Sequence, residues 1–249
     1  ALFNLGNIAW WAGDSAAAIS YFEQALPGWE AMGNATQLGV THVFLGQVYA
    51  EVGDFAAALR HAAAAVPILE QSDDPRLPKA LLALGILYQK SGDSMRAVEA
   101  HEDAADLFAA QGDTANEAFT RGYIGLVYLN DLFNASAARE ALSAALALRT
   151  EEDNEAEMAT LNLMLGNTLV DLGDFHQALV HYVEAQRLFD ALGPAYRSDA
   201  ASVQRALGLY YGLIDSLAEA RRAYSRARSI YREIGDTAGE AESTIALGS

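Results

Sequence analysis

Five histidines, His42, His61, His101, His176 and His181, and no cysteine define the metal-binding and nucleophilic repertoire of this 249-residue chain. Without a thiol there is no disulfide framework, no thiolate zinc site and no cysteine nucleophile. His101-Glu102 does not open a helical zinc motif, because the position that would carry the second histidine is Ala105. His176 and His181 stand five apart, which does not put two ligands on one helix face. The acidic groups Glu102-Asp103 and Glu151-Glu152-Asp153 read as solvated turns and helix starts, since adjacent carboxylates alone do not make a hydrolytic pair. No P-loop, G-x-G-x-x-G or G-x-S-x-G signature occurs. Asn34-Ala35-Thr36 and Asn134-Ala135-Ser136 match the glycosylation sequon and read as fortuitous. The expectation is no catalytic centre, no bound metal and no cofactor, so function must lie in surfaces.

Charge narrows the partners of such surfaces. Asp and Glu number 33 against 16 Lys and Arg, a formal net charge of -17, which argues against binding along a phosphate backbone. The longest uncharged stretch, Ala31 to Ala50, contains Asn34, Thr36, Gln37, Thr41, His42 and Gln47 and is too polar for a membrane span. The first residues lack the basic region of a signal peptide, and the expected location is cytoplasmic. Residues 1–200 hold 27 acidic and 10 basic side chains, whereas residues 201–249 hold 6 of each. Five of those last basic residues, Arg221, Arg222, Arg226, Arg228 and Arg232, fall on one predicted helix. They form a candidate docking patch for an acidic partner or another copy, with local pairing to Glu219 and Glu233 as the alternative.

The elements that position these residues follow from a repeat. An apolar residue followed by Gly recurs at Gly6, Gly46, Gly85, Gly125, Gly166, Gly208 and Gly248, at spacings of 39 to 42 residues. Three residues after the Gly stands Tyr49, Tyr88, Tyr128 or Tyr211, and seven after it Gly13-Asp14, Gly53-Asp54, Gly92-Asp93 or Gly173-Asp174. Farther on come Ala18, Ala58, Ala97, Ala138, Ala178 and Ala220, and seven residues later Ala25, Ala65, Ala104, Ala145, Ala185 and Ala227.

One unit reads as two helices, A then B. Gly takes the left-handed position after helix A, and Asp caps helix B. In the second unit this places helix A at about Asn34 to Val52 and helix B at about Asp54 to Gln71. The fourth and sixth units carry Leu132-Phe133 and Asp215-Ser216 where Gly-Asp is expected, so their turns should differ. Pro27 and Pro67 fall inside B helices and are expected to bend them. A Gly in mid-helix costs about 1 kcal/mol against Ala, which a close approach of another helix backbone would explain. No single unit buries its apolar face, so the units must stack.

Taken together, Leu-Gly, Tyr, Gly-Asp, Ala and Ala at these offsets resemble the tetratricopeptide repeat, over essentially the whole chain. The period near 40 is similar to the long-helix subclass found in sensor arms of large ATP-binding bacterial regulators of the maltose-activator kind, in related signalling NTPases and in kinesin light chains. The resemblance implies an all-α, right-handed superhelical solenoid of helix-turn-helix repeats. Its units are at about 1–33, 34–73, 74–112, 113–153, 154–193 and 194–235, with a partial seventh at 236–249. Since neither end carries a polar capping helix, a segment of a longer array, or ends covered by a partner, is expected.

The resemblance also implies a concave groove lined by helix A. By offset from each Gly the candidates are Phe3, Asn7, Trp10 and Trp11; Val43, Gln47, Ala50 and Glu51; Leu82, Ile86, Gln89 and Lys90; Gly122, Leu126, Leu129 and Asn130; Leu163, Asn167, Val170 and Asp171; and Arg205, Leu209, Gly212 and Leu213. Phe3, Val43 and Leu82 stand where chaperone-binding relatives carry the basic residues of a carboxylate clamp, so that activity is not expected. Asn7 and Asn167 match the family's peptide-backbone-binding asparagine. Trp10 and Trp11 cannot both face one core. The implied function is a non-catalytic module binding a protein or peptide segment, or a small effector, as the sensor or interaction arm of a bacterial signalling or transcriptional regulator. The alternative is an assembly scaffold that self-associates through uncapped ends without a small ligand.

Overall fold

The computed structural model describes residues 1–151 and 154–248, with the side chain of Glu151 left aside. The acidic turn at Glu152-Asp153 and the final Ser249 lie outside the described residues. Thirteen α-helices are described: α1 Leu2–Trp11, α2 Ser15–Ala31, α3 Ala35–Glu51, α4 Phe55–Gln71, α5 Leu77–Lys90, α6 Ser94–Gln111, α7 Thr114–Asn130, α8 Ala135–Glu151, α9 Glu155–Asp171, α10 Phe175–Leu192, α11 Arg197–Leu213, α12 Leu217–Ile234 and α13 Thr237–Gly248. A single 3-10 turn, Pro194–Tyr196, precedes α11. Odd-numbered helices are the A helices of the repeat, and even-numbered ones are the B helices.

Each Gly-Asp pair does what its chemistry allows. Gly13, Gly53, Gly92 and Gly173 have φ between 76° and 83°, a region Gly enters without a Cβ penalty. At the first turn the N–H of Gly13 bonds to Trp10 and that of Asp14 to Ala9, which closes helix α1. The carboxylates of Asp14, Asp54, Asp93 and Asp174 each accept from the backbone N–H three residues on. The atypical turns differ as expected. Phe133 (φ 52°) and Asp215 (φ 58°) adopt the left-handed conformation without being glycine. The fourth turn is also one residue longer, since Asn134 bonds back to Tyr128.

The chain divides into two compact units, Ala1–Val127 and Tyr128–Ser249. In the first, α1 pairs with α2, α3 with α4 and α5 with α6, and α2 and α4 each pack on the next A helix. In the second, consecutive helices from α8 to α13 pack in the same way. Helix A touches the following helix A only lightly, so contact between successive pairs runs mainly from B to the next A. All twelve repeat alanines are buried, and this lets the helices approach closely. The first unit's core includes Phe22, Leu45, Leu69 and Phe108; the second's includes Leu142, Leu165, Tyr182 and Phe189. Helices α2 and α4 continue past Pro27 and Pro67, each of which lies near the C-terminal end.

Candidate functional site

The repeat glycine prepares a seat for one side chain of helix B. A Cβ on Gly166 would stand 2.5 Å from the ring of Tyr182. The same holds for Gly6 under Phe22 (2.6 Å), Gly85 under His101 (2.5 Å) and Gly208 under Tyr224 (2.7 Å). Only an absent side chain leaves room for a ring lying on the helix at that distance. At Gly46 the seat holds Ala62 instead, and backbone atoms of Ala58 and Ala62 come within 3.4 Å. A seated ring therefore accounts for Gly6, Gly85, Gly166 and Gly208, whereas at Gly46 a Cβ would stand in ordinary contact with its neighbours. The sequence carries this signal sixteen residues after each Gly, as Phe22, Ala62, His101, Ala141, Tyr182 and Tyr224.

In the second unit these seats form the floor of a cleft of about 560 Å³. Helix α9 contributes Leu163, Asn167, Val170 and Asp171; α11 contributes Ser202, Arg205, Ala206 and Leu209; α13 contributes Glu242, Ile245 and Ala246. Tyr182 and Tyr224 reach it from α10 and α12. The Tyr182 hydroxyl donates to Asn167 Oδ1 at 2.9 Å. Burial, and then the charge of Asp171, push the Tyr182 phenol well above the ordinary tyrosine range, so it stays a donor. Arg205 pairs with Glu242 at 3.5 Å, linking α11 to α13. Leu209 is 56 % exposed and Ile245 73 %, leaving an apolar surface open to solvent. Of the residues expected from the offsets, Leu163, Asn167, Val170, Asp171, Arg205 and Leu209 meet here. The offsets do not give Tyr182, Ser202, Tyr224, Glu242 and Ile245.

The first unit arranges its candidates differently. Trp10 turns inward, packs edge-on against Phe44 at 5.5 Å and donates from Nε1 to Glu51 Oε2 at 2.6 Å. Trp11 turns outward and is 82 % exposed. Asn7 is half-buried, and its Oδ1 is buried without a hydrogen-bond partner. Gln47 is exposed, and Lys90 lies over the Phe55 ring at 5.0 Å. Leu82, with Phe3 and Val43, packs against core clusters. Ile86, Gln89 and Leu126 are half-buried. Asn130, in the second unit, is exposed and does not line the cleft described above.

Four of the five histidines, His42, His61, His101 and His181, belong to the packing, and His176 is exposed. His42 and His61 face each other through Nδ1 at 3.0 Å, and His61 stacks on Tyr49. His181 Nδ1 meets Asn162 Oδ1 at 2.8 Å. Both pairs are nineteen residues apart, so His61 and His181 occupy equivalent inter-helix positions in two repeats. Burial lowers His42 to about 4, with the neighbouring His61 adding to it, and lowers His61 and His181 as well. Among the described residues no group of three or more His, Asp or Glu could hold a metal ion.

The tetratricopeptide repeat model matches residues 1–71 and 157–248, more than half of the sequence. The chain belongs to the tetratricopeptide repeat family. As a family member it has the expected all-α solenoid class, built of helix-turn-helix repeats. It is 28 % identical over 198 residues to the Tonsoku-like protein of Mus musculus, spanning 76 % of this chain and 13 % of that protein. In fold it is similar to BtubC from P. vanneervenii, with a TM-score of 0.72, 19 % identity, and 87 % and 91 % of the two chains covered. It is also similar to a Signal Transduction ATPase with Numerous Domains that carries a tetratricopeptide repeat sensor, from Pyrococcus horikoshii. That match has a TM-score of 0.65 at 15 % identity and covers 99 % of this chain and 41 % of the other.

On this tetratricopeptide scaffold the arginines of α12 are partly spoken for. Arg222 pairs with Glu219 at 2.6 Å, Arg232 with Glu240 at 2.6 Å and Arg226 with Asp190 at 4.0 Å. Glu233, expected to pair along α12, instead binds Arg197 at the start of α11. Arg221 is exposed and Arg228 half-buried. No described helix is long and apolar enough to cross a membrane.

Proposed function

We propose that this tetratricopeptide chain is a non-catalytic binding module whose second unit holds a protein or peptide segment, or a small effector, in the cleft between α9, α11 and α13. The observation that carries this reading is the convergence of the groove positions. Leu163, Asn167, Val170, Asp171, Arg205 and Leu209 line a single cleft of about 560 Å³, a size that suits a few side chains of a ligand. An apolar floor with a few fixed polar groups supplies affinity by burial and orientation by hydrogen bonding. The first unit's groove candidates, Asn7, Gln47, Glu51, Ile86, Gln89, Lys90 and Leu126, and Asn130 of the second, lie outside this cleft, and Trp10 and Leu82 serve packing.

In this reading the module is the sensor or interaction arm of a cytoplasmic signalling or transcriptional regulator. The long repeat period and the fold shared with a sensor-bearing signalling ATPase support it. Isothermal titration of the chain with peptides selected against it provides the test. Leu209→Asp should abolish binding while leaving the melting temperature within about 2 °C, because Leu209 is exposed. Unchanged binding would remove the cleft from consideration.

One observation favours the scaffold reading as a second possibility. Leu2, Leu5, Ile8 and Trp11 leave α1 with an apolar surface exposed to solvent, and such a surface can bind a second copy. Sedimentation velocity at several concentrations separates the readings: a monomer at every concentration refutes self-association.

A further inference from the structure

We infer that the segment taken by the α9–α11–α13 cleft presents an aliphatic or aromatic side chain next to a lysine or arginine. This inference rests on the cleft being the binding site and adds the chemistry of its occupant. The charged groups lining the cleft are Asp171, Arg205 and Glu242. Arg205 and Glu242 lie 3.5 Å apart and largely neutralise each other. That leaves the Asp171 carboxylate as the uncompensated charge, exposed at the C-terminal end of α9. A carboxylate there meets the negative end of the helix dipole and has no compensation from its own helix, so an incoming cation relieves both.

The field of Asp171 extends into the cleft, because it contributes to raising the phenol of Tyr182 beneath it. Beside it the wall is apolar, through Leu163, Val170, Leu209 and Ile245. An acidic segment would put a second carboxylate against Asp171 in a partly desolvated site, which is unfavourable. A wholly apolar segment would bury the edge of Asp171 without a partner. A basic residue flanking an apolar one satisfies both surfaces. Asn167 sets the approach: its Oδ1 already accepts from Tyr182, so its Nδ2 is the group left to donate to a main-chain carbonyl of the segment.

The test is selection of a phage-displayed library of short random peptides on four proteins: the chain itself, Asp171→Asn, Asp171→Lys and Leu209→Asp. Both side chains are exposed, and a thermal melt of each variant verifies the fold. Expected is enrichment of Lys or Arg beside Leu, Ile or Phe on the parent chain. That basic preference should vanish with Asp171→Asn and turn to Asp or Glu with Asp171→Lys, the apolar preference persisting in both. Peptides from the parent selection should bind Asp171→Asn about fivefold more weakly. If Asp171→Asn retains the basic preference, or the parent shows none, while Leu209→Asp loses the apolar preference, the charge inference is overturned and the cleft stands. If Leu209→Asp selects the same peptides as the parent, or no protein enriches any sequence, the cleft reading itself is overturned.

Discussion

The hydroxyl of Tyr182 donates a 2.9 Å hydrogen bond to Oδ1 of Asn167, from helix α10 to helix α9, while the tyrosine ring lies on Gly166. One residue beyond the repeat Gly, Asn7 is the counterpart of Asn167, and the seated ring beside it is Phe22. Phe22 has no hydroxyl, and Asn7 Oδ1 is buried without a partner. Tyr182→Phe should therefore cost about 1 kcal/mol in urea-melt stability and loosen the orientation of Asn167. The same substitution should weaken binding of a selected peptide. Loss of binding without loss of stability would show that the hydroxyl touches the ligand and does not orient Asn167.

His101 should make the first unit sensitive to acid. It is fully buried on Gly85, and neither ring nitrogen has a hydrogen-bond partner. Burial lowers it to about 4, below the ordinary 6.5. Between those values the unfolded chain binds the proton and the folded chain does not, so stability is complete above about pH 6.5 and falls as pH drops toward 4. The loss from this residue amounts to at most about 3 kcal/mol. His101→Phe places the ring found at Phe22 on the same seat and should lessen the dependence of melting temperature on pH, leaving the share of the buried His42, His61 and His181. An unchanged acid profile would remove His101 as its source.

The two kinds of repeat glycine should respond in opposite directions to alanine. A methyl on Gly166 meets the Tyr182 ring at 2.5 Å, and displacing a fully packed ring costs about 1–3 kcal/mol. On Gly46 the nearest atoms are at 3.4 Å, so the helix-propensity gain of about 1 kcal/mol should survive. Thermal melts that rank Gly166→Ala above Gly46→Ala would contradict the seated-ring account.

Phe133 is 85 % exposed and has φ 52°. An L-residue in this conformation costs about 1–2 kcal/mol that Gly does not. Phe133→Gly should raise the melting temperature, by the few degrees that about 1 kcal/mol produces.

The two adjacent tryptophans separate by geometry. Trp10→Ala removes the contact with Phe44 and the bond to Glu51 and should cost about 2 kcal/mol or more. Trp11→Ala should change stability by less than about 0.5 kcal/mol. Denaturant melts of the two single variants are a sufficient check.

The turns were the most legible part of the fold, because Gly and Asp act locally: the φ of Gly53 and the cap made by Asp54 need no distant partner. Phe133 shows the converse, with the backbone taking the left-handed turn in spite of its residue. The candidate site was legible only along its A helices. Leu163, Asn167 and Asp171 follow from the offset to Gly166, but the offset does not reveal that Tyr182 rises from α10 to bond Asn167. Nor does it reveal that Glu242 crosses from α13 to meet Arg205. The same offset assigned Trp10 and Trp11 to one groove, although a helix turns consecutive residues 100° apart and only Trp10 faces Phe44.

By itself the sequence determined the repeat, its helix boundaries and the small residues at the helix contacts, since periodicity and local hydrogen bonding depend on neighbours along the chain. Tertiary packing decided that the residue sixteen positions on lies over each Gly: Ala62 at Gly46, and rings at Gly6, Gly85, Gly166 and Gly208. It also decided which carboxylates remain uncompensated, leaving Asp171 open while pairing Glu233 and Glu242 with arginines of α11. The physical reason is that charge pairing and cavity shape are set by side chains from helices distant in sequence, whose approach is fixed only when the repeats stack.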